Sequence, residues 1–339
     1  MQLRKFGTTD LDVSSIGFGM WPIGGTLGSG DYGKVDNNEA IAAIKYALDE
    51  GINLFDTAPA YGNGFAEEIL GKALIGIREK AVITTKCGIY HDYEKKEWVR
   101  DSSKSAILRG AEQSLSRLQT DYIDIFLIHW PDDKAAAAES MSAMSELKQS
   151  GKVRYIGVSN FSLEEIKTYS EFGLISTQQI GYNLFDRRIE QSMLPFCVQN
   201  NIAIMGYGSL CHGLLTGTWD IDFTFEKTDW RSQGDVMGLK LFTPNNLKAN
   251  IAVANKLKEF AESKNISLPQ LAIAWVLSNS NINVALTGMR NSSEVKDNTG
   301  VAAVNLSEAD IVIIANIMES AQGTIQEHAY DFNNPNRKD

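Results

Sequence analysis

Gly51-Ile52-Asn53-Leu54-Phe55-Asp56-Thr57-Ala58-Pro59-Ala60-Tyr61-Gly62 is a short apolar run, Ile52 to Phe55, that breaks into a loop carrying an acid, a proline and a tyrosine. The run reads as a buried strand and the segment after it as a loop. Amphipathic stretches flank the unit, Asn37–Glu50 before it and Ala66–Ile75 after it. The same rhythm continues through the chain. Further apolar strand candidates fall at Ile16–Gly19, Ala81–Thr85, Tyr122–Ile128, Tyr155–Val158, Thr177–Ile180, Ile202–Met205 and Val284–Leu286. Between most of them lie helical patterns: Ser102–Gln119, Glu139–Ser150, Leu163–Glu171 and Ile189–Asn200. In Ser102–Gln119, residues Ile107, Ala111, Leu115 and Leu118 recur at helical spacing on one face. Strand–helix alternation sustained over about eight units predicts a parallel sheet closed into a (β/α)8 TIM barrel, an α/β fold spanning 1–339 as one domain.

Three departures frame that barrel. Residues 1 to 13 read as a hairpin around Gly7-Thr8-Thr9-Asp10 that precedes the main fold. From Gly213 to Pro244, after the seventh strand, the chain has no period but carries Trp219, Phe223, Phe225, Trp230 and Phe242. A loop of that length is either a functional lid or partly disordered, and its aromatics favour a lid, about 213–244. Beyond the helical patterns at Asn250–Ser263, Leu268–Ser278, from Ser292 and from Ser307, the polar end at about 331–339 reads as a frayed tail.

Composition excludes several classes. The formal charge is 32 − 42 = −10, which argues against a nucleic-acid or anionic-membrane partner. Cys87, Cys197 and Cys211 form no CxxC pair and read as reduced thiols, pointing to a cytoplasmic protein. Residues 1–7 carry no apolar signal core, and Ile311–Met318 is far too short to span a membrane. The four histidines, His91, His129, His212 and His328, are scattered, so no metal site is expected. Gly17-Phe18-Gly19-Met20-Trp21-Pro22 starts like a dinucleotide fingerprint, but Pro22 stands where a small residue must pack, and that reading fails.

Functional groups of a parallel barrel sit at the C-terminal strand ends. Three strands end in titratable side chains: Asp56, Lys86 and His129. Tyr61 joins them from the loop after Asp56. Taken singly, Lys86 is more often a solvated strand end, His129 a satisfied structural group and Tyr61 loop packing, and Asp56 is as readily a cap for the loop or the next helix. Together on successive strands they suit proton delivery by a phenol. An unperturbed tyrosine has a pKa near 10, and bringing it to neutrality needs about 4 kcal/mol of differential interaction. Lys86 would favour the phenolate, Asp56 would hold Lys86 charged, and His129 would orient a carbonyl oxygen.

Asp56-Thr57-Ala58 with Tyr61-Gly62, Lys86, and Leu127-Ile128-His129-Trp130 resemble the aldo-keto reductase superfamily. Gly151-Lys152-Val153-Arg154-Tyr155-Ile156-Gly157-Val158-Ser159-Asn160-Phe161 and Gln179-Ile180-Gly181-Tyr182-Asn183 are similar to its fifth- and sixth-strand signatures. The resemblance implies a barrel whose bottom is plugged by the N-terminal hairpin, a nicotinamide cofactor, and reduction of an aldehyde, ketone or aldose, or the reverse. By residue match, Asp56, Tyr61, Lys86 and His129 are the catalytic tetrad. On the same match Ser159, Asn160 and Gln179 would hold the nicotinamide carboxamide, Tyr207 would stack beneath its ring, and Trp21 and Trp130 would wall the substrate pocket, with Trp98 or Trp230 as further aromatic candidates. The glycine-rich stretch with Ser209, Leu210, Gly213, Leu215 and Gly217 takes the pyrophosphate. Gly288, Met289, Arg290, Glu294 and Asn298 take the adenosine end. Glu294 and Met289 depart from the family's pattern at the 2′-phosphate contact and leave NAD(H) open, whereas the Arg290 guanidinium can fork a 2′-phosphate, so NADP(H) is favoured. Two rivals remain at this level: a non-catalytic nicotinamide-binding regulatory subunit, and an unrelated barrel using Lys86 as a Schiff base. The physiological substrate and the oligomeric state are not legible.

Overall fold

The structure, a computed structural model, describes residues 1–324 apart from 26–34, 93, 94, 96 and 133, so the expected tail at 331–339 lies outside the described residues. The chain opens with an antiparallel hairpin of Leu3–Lys5 (β1) and Asp12–Ser14 (β2). Ile16–Gly19 (β3), Leu54–Asp56 (β4) and Val82–Cys87 (β5) follow, then a second hairpin of Ile89–Asp92 (β6) and Glu97–Arg100 (β7). Ile123–Ile128 (β8), Val153–Ser159 (β9), Thr177–Gly181 (β10), Ala203–Tyr207 (β11) and Val284–Gly288 (β12) complete the set. Strands β3, β4, β5, β8, β9, β10, β11 and β12 close into one barrel in that order, all parallel. This is the (β/α)8 architecture that the alternation predicts.

The helices cover the outside: Asn37–Asp49 (α1), Phe65–Ala73 (α2), Lys104–Leu118 (α3), Ala137–Gln149 (α4), Leu163–Ser170 (α5), Met193–Gln199 (α6), Pro244–Ser263 (α7), Leu268–Ser278 (α8), Ser292–Thr299 (α9) and Glu308–Met318 (α10). Their starts are chemically specified. Ser103 accepts the Ala106 N–H at the head of α3, and Ser162–Glu165 and Ser267–Gln270 form capping boxes on α5 and α8. Helix α6 begins four residues later than the pattern from Ile189 suggests. Pro195 explains the difference: in the first turn its missing N–H is tolerated, whereas a helix from Ile189 would carry it in the interior.

Side chains alternate in and out along each strand. Ile16, Phe18 and Phe55 belong to the large core under the helices. Leu54, Ile125, Leu127, Ala203, Met205, Val284 and Leu286 instead form a separate cluster with Phe6, Leu11 and Val13. The first hairpin therefore plugs the end where the strands begin. Burying Phe6, Leu11 and Val13 is worth on the order of 1.5–3 kcal/mol each, stability that a two-stranded hairpin lacks alone. Asp10 in its turn accepts from Arg154 at 3.0 Å and Tyr155 at 2.6 Å, and Asp124 links Arg154 to Arg78. The interior is too narrow for a side chain everywhere: a Cβ on Gly157 would stand 2.5 Å from Thr177 Cγ2 and 2.6 Å from Leu127 Cδ2.

Two segments carry more order than their composition suggests. The β6–β7 hairpin is polar enough to escape the strand pattern, and it stands directly after the Lys86 strand. In 213–244, Trp219 stacks on Phe223 at 4.7 Å, Phe225 and Phe242 meet Trp219 edge-on and tilt against each other, and the Arg231 guanidinium lies 5.0 Å over Phe225. The aromatics thus have one another as partners, and Arg188 ties the segment to the barrel through the Met237 carbonyl at 2.9 Å.

Candidate active site

One further step of the inward alternation leads from the packed interior to a layer of titratable and hydrogen-bonding side chains. Asp56 is two residues beyond Leu54, Lys86 beyond Thr84, His129 beyond Leu127, Ser159 beyond Gly157, Gln179 beyond Thr177, and Tyr207 beyond Met205. All sit where the strands end and the long loops leave. Strands β4, β5 and β8 are neighbours, so Asp56, Lys86 and His129 converge as expected.

Lys86 is the centre. Its Nζ lies 2.9 Å from both Asp56 carboxylate oxygens, 2.9 Å from the Thr57 carbonyl and 3.1 Å from the Tyr61 hydroxyl. Lysine has no acceptor, so Tyr61 Oη accepts from Nζ, and the phenolic proton is not the one shared between them. The pair is almost sealed, with the Lys86 side chain 0% and the Asp56 side chain 5% exposed. Burial pushes the Asp56 carboxyl up and the Lys86 ammonium down from their ordinary values, while each partner pulls the other back towards the charged form. Contact of Nζ with both carboxylate oxygens favours the ion pair.

Gln179 crosses the mouth to this pair. Strands β10 and β4 lie on opposite sides of the barrel, yet Gln179 Nε2 donates to Asp56 Oδ1 at 2.6 Å. A carboxylate only accepts, which sets the amide orientation. Sequence reasoning assigns Gln179 to a ligand and misses this contact, because it joins residues 123 positions apart.

His129 is half-buried and meets the Tyr61 ring edge-on at 6.1 Å. Burial of the imidazole, then the charges of Lys86 and Arg100, hold it well below its ordinary value, so it is neutral at physiological pH. Arg100 comes from the β6–β7 hairpin, with its guanidinium 4.8 Å over the Trp130 ring. Nothing in the sequence marked it. On the other side Trp21 stacks on Tyr61 at 6.2 Å and on Trp230 of the 213–244 segment at 5.6 Å. His212 stands edge-on to both tryptophans, at 6.1 and 5.5 Å. Trp98, by contrast, packs on His91 within its own hairpin at 5.3 Å.

Residues that could hold a dinucleotide run along the β9–β12 side. Asn160, in left-handed conformation (φ 62°), donates to the His129 carbonyl at 3.1 Å and accepts from the Tyr207 hydroxyl at 2.8 Å. Ser209 Oγ is engaged with the Leu286 carbonyl at 3.0 Å. Leu210 starts the turn at 211–216, where Cys211, His212 and Gly213 are all left-handed. Within it the N–H groups of Gly213 and Leu215 both donate to the Leu210 carbonyl, and Gly217 caps it. At the end of β12 Gly288 lies against Pro22, and past it Met289 is fully buried and Asn298 is buried on α9. Arg290 and Glu294, which sequence reasoning sets in opposition, pair with each other: guanidinium to carboxylate at 2.8 Å, with the Arg290 backbone N–H also on Glu294 at 2.8 Å.

A family model described as the aldo/keto reductase family matches residues 15–319. The chain belongs to the aldo/keto reductase family. It is an oxidoreductase of that family, and the following relatives each align over 88% or more of both chains. The aldo-keto reductase YhdN of Bacillus subtilis is 37% identical over 94% of both chains. The NADH-specific methylglyoxal reductase of Escherichia coli is 33% identical over 95% of this chain and 100% of its own. Among solved aldo/keto reductases, the glycerol dehydrogenase of Gluconobacter oxydans aligns with a TM-score of 0.84 at 35% identity, covering 96% of this chain and 98% of its own. A Klebsiella pneumoniae aldo-keto reductase in complex with NADPH aligns at 0.72 and 25% identity, covering 96% and 98%. A probable voltage-gated potassium channel subunit beta of Arabidopsis thaliana is also similar, 29% identical over 88% of this chain and 90% of its own. Among the described residues no helix is long and apolar enough to cross a membrane.

Proposed function

We propose that this oxidoreductase reduces a small aldehyde, ketone or aldose to the alcohol, or runs the reverse, with Tyr61 as the general acid and base. The observation that carries the reading is the position of Lys86 Nζ, on Asp56 at 2.9 Å and on Tyr61 at 3.1 Å at once. An ammonium at hydrogen-bond distance stabilises the phenolate that proton donation leaves behind. Asp56 keeps that ammonium aimed, and Gln179 keeps Asp56 aimed. Neutral His129 has one N–H to give, which suits orientation of a carbonyl oxygen beside the phenol and not protonation of it. Trp21, Trp130 and Trp230 wall the mouth, and a substrate seated against them would displace water there and strengthen each electrostatic contact.

The donor set on the β9–β12 side fits a nicotinamide dinucleotide, which supplies the hydride when bound. Ser159, Asn160 and Gln179 would hold its carboxamide and Tyr207 its ring. Arg290, beyond the last strand, gives the fork that a 2′-phosphate needs, so NADP(H) is the favoured cofactor and NAD(H) a possible one. Relatives named for NADH and NADPH support both halves of that statement. Buried, unpaired Cys87, Cys197 and Cys211 suit a reducing, cytoplasmic setting.

Tyr61→Phe keeps the ring and removes the phenolic proton. In an assay of NADPH oxidation over a panel of aldehydes, ketones and sugars, kcat should fall by about 10²–10⁴ while NADPH affinity is retained. Full turnover by Tyr61→Phe on a substrate limited by chemistry would falsify the assignment. A substrate-free panel with intact NADPH binding would instead favour the regulatory reading.

A further inference from the structure

Behind the Lys86 strand lies a buried charge that the proposed mechanism does not use. Glu67 is fully buried in the first turn of α2. One carboxylate oxygen accepts the Thr85 hydroxyl at 2.6 Å and the other accepts Arg117 Nε at 2.6 Å. A sealed carboxylate is costly unless its geometry is good, and as a stabilising device this one is incomplete, because Arg117 Nη2 is buried without a partner. Its placement points elsewhere.

Thr85 immediately precedes Lys86, and strand alternation turns Thr85 outward to α2 while Lys86 turns inward. The same helix carries the catalytic loop on its N-terminus: the Tyr61 carbonyl accepts the Ala66 N–H at 3.2 Å and the Gly62 carbonyl accepts the Phe65 N–H at 3.1 Å. Any slide of α2 along β5 would move the Tyr61 phenol relative to Lys86 Nζ. Arg117 also packs closely against the loop. Gly64 is left-handed (φ 89°), and a Cβ there would stand 2.6 Å from Arg117 Cδ.

Resting on the reading of Tyr61 and Lys86 given above, we propose that Glu67 is a positioning residue of the active site, tied to Thr85 and Arg117 so as to hold Lys86 against Tyr61 from behind the strand. Its negative charge is also the second to act on Lys86 after that of Asp56. The charged or titratable groups around Lys86 are then Asp56 from β4, Tyr61 from the loop, Glu67 from α2 and His129 from β8, with Arg117 of α3 behind Glu67 and Arg100 of β7 behind His129.

Glu67→Gln keeps the volume and an acceptor for Thr85 but removes the charge and sets an amide N–H against Arg117. Losing a nearby negative charge favours the deprotonated forms of both Lys86 and Tyr61, so the alkaline limb of the kcat–pH profile for carbonyl reduction should move down by about one pH unit. At neutral pH kcat should fall about tenfold, with KM and the NADPH Kd within about twofold of the parent. Thr85→Val, which removes the tie and keeps the charge, should lower kcat with the limb in place, and Thr85→Ser, which restores the hydroxyl donor to Glu67, should recover it. This pair serves as the test if Glu67→Gln fails to fold, and a Thr85→Ser as slow as Thr85→Val overturns the proposal. A parent-like profile and kcat in Glu67→Gln, or in Thr85→Val a parent-like kcat, overturns the proposal. So does a uniform loss at every pH in Glu67→Gln, which is what a merely structural role would produce. Tyr61→Phe run in parallel separates the two readings: if it stays active, the catalytic assignment fails whatever Glu67 does.

Discussion

Glu294→Gln is expected to tighten NADPH about five- to tenfold while changing NADH little. In the structure Glu294 holds the Arg290 guanidinium at 2.8 Å, with the two side chains 31% and 46% exposed. An exposed pair of this kind is worth about 0.2–1 kcal/mol, so a 2′-phosphate displaces Glu294 at small expense. Repulsion adds to this. A carboxylate about 5 Å from a phosphate of charge near −2 costs about 1.5 kcal/mol in water, roughly halved by screening at physiological salt. The sum is about 1 kcal/mol, hence the five- to tenfold gain. Glutamine keeps an acceptor for the Arg290 backbone N–H, so the turn before α9 is preserved. Arg290→Ala removes charge-assisted hydrogen bonds worth about 1.5–3 kcal/mol and should weaken NADPH about 10- to 100-fold, with NADH nearly unaffected. Calorimetric titration of both dinucleotides at two ionic strengths reads these effects, and the NADPH advantage should shrink at the higher salt. Tighter binding of NADH than NADPH by the unmodified protein, or weaker NADPH binding in Glu294→Gln, refutes the reasoning and makes Glu294 an acceptor for a ribose diol.

Lys86→Met leaves the Asp56 charge unpaired in a sealed site, a loss of about 3–5 kcal/mol. It should therefore lower the melting temperature and shift the pH–rate profile, and an unaltered profile would show that Lys86 does not tune Tyr61. His212 is pushed down to about 4 by burial and then by Arg231, against an ordinary 6.5. The unfolded chain then takes up the proton first as pH falls, so stability is complete above about pH 6.5 and is lost towards pH 4. The shift bounds the loss at about 3 kcal/mol, less because the ring is partly exposed, and His212→Gln should flatten this slope in urea titrations. Limited proteolysis of the cofactor-free protein should cut within 218–228, where exposed positions surround Trp219, Phe223 and Phe225, and saturating NADPH should slow the cut. Equal rates with and without cofactor would count against a lid.

Strand–helix alternation was enough, by itself, for the barrel and for the strand ends that carry Asp56, Lys86 and His129, and the turn signal at Gly7-Thr8-Thr9-Asp10 was enough for the hairpin ahead of it. The reason is local: period-two and period-3.6 patterns are written in adjacent residues, and in a parallel barrel the last inward position of each strand must face the mouth. The aromatic segment at 213–244 was legible as an interruption of that rhythm, and Pro195 moved a helix boundary through backbone chemistry alone. Tertiary structure decided the contacts that close over long separations. Gln179 meets Asp56 only because β10 and β4 oppose each other across the barrel, and Glu67 meets Arg117 across 50 residues because α2 and α3 pack side by side. Arg290 and Glu294 are four apart in sequence, yet whether they oppose or join depends on the turn into α9, which residue types alone do not specify. Arg100 reaches Trp130 through a hairpin too polar to announce itself. Residue identity states which charges and donors a chain owns; the dihedral path between them states which ones meet, and burial then fixes what each meeting is worth.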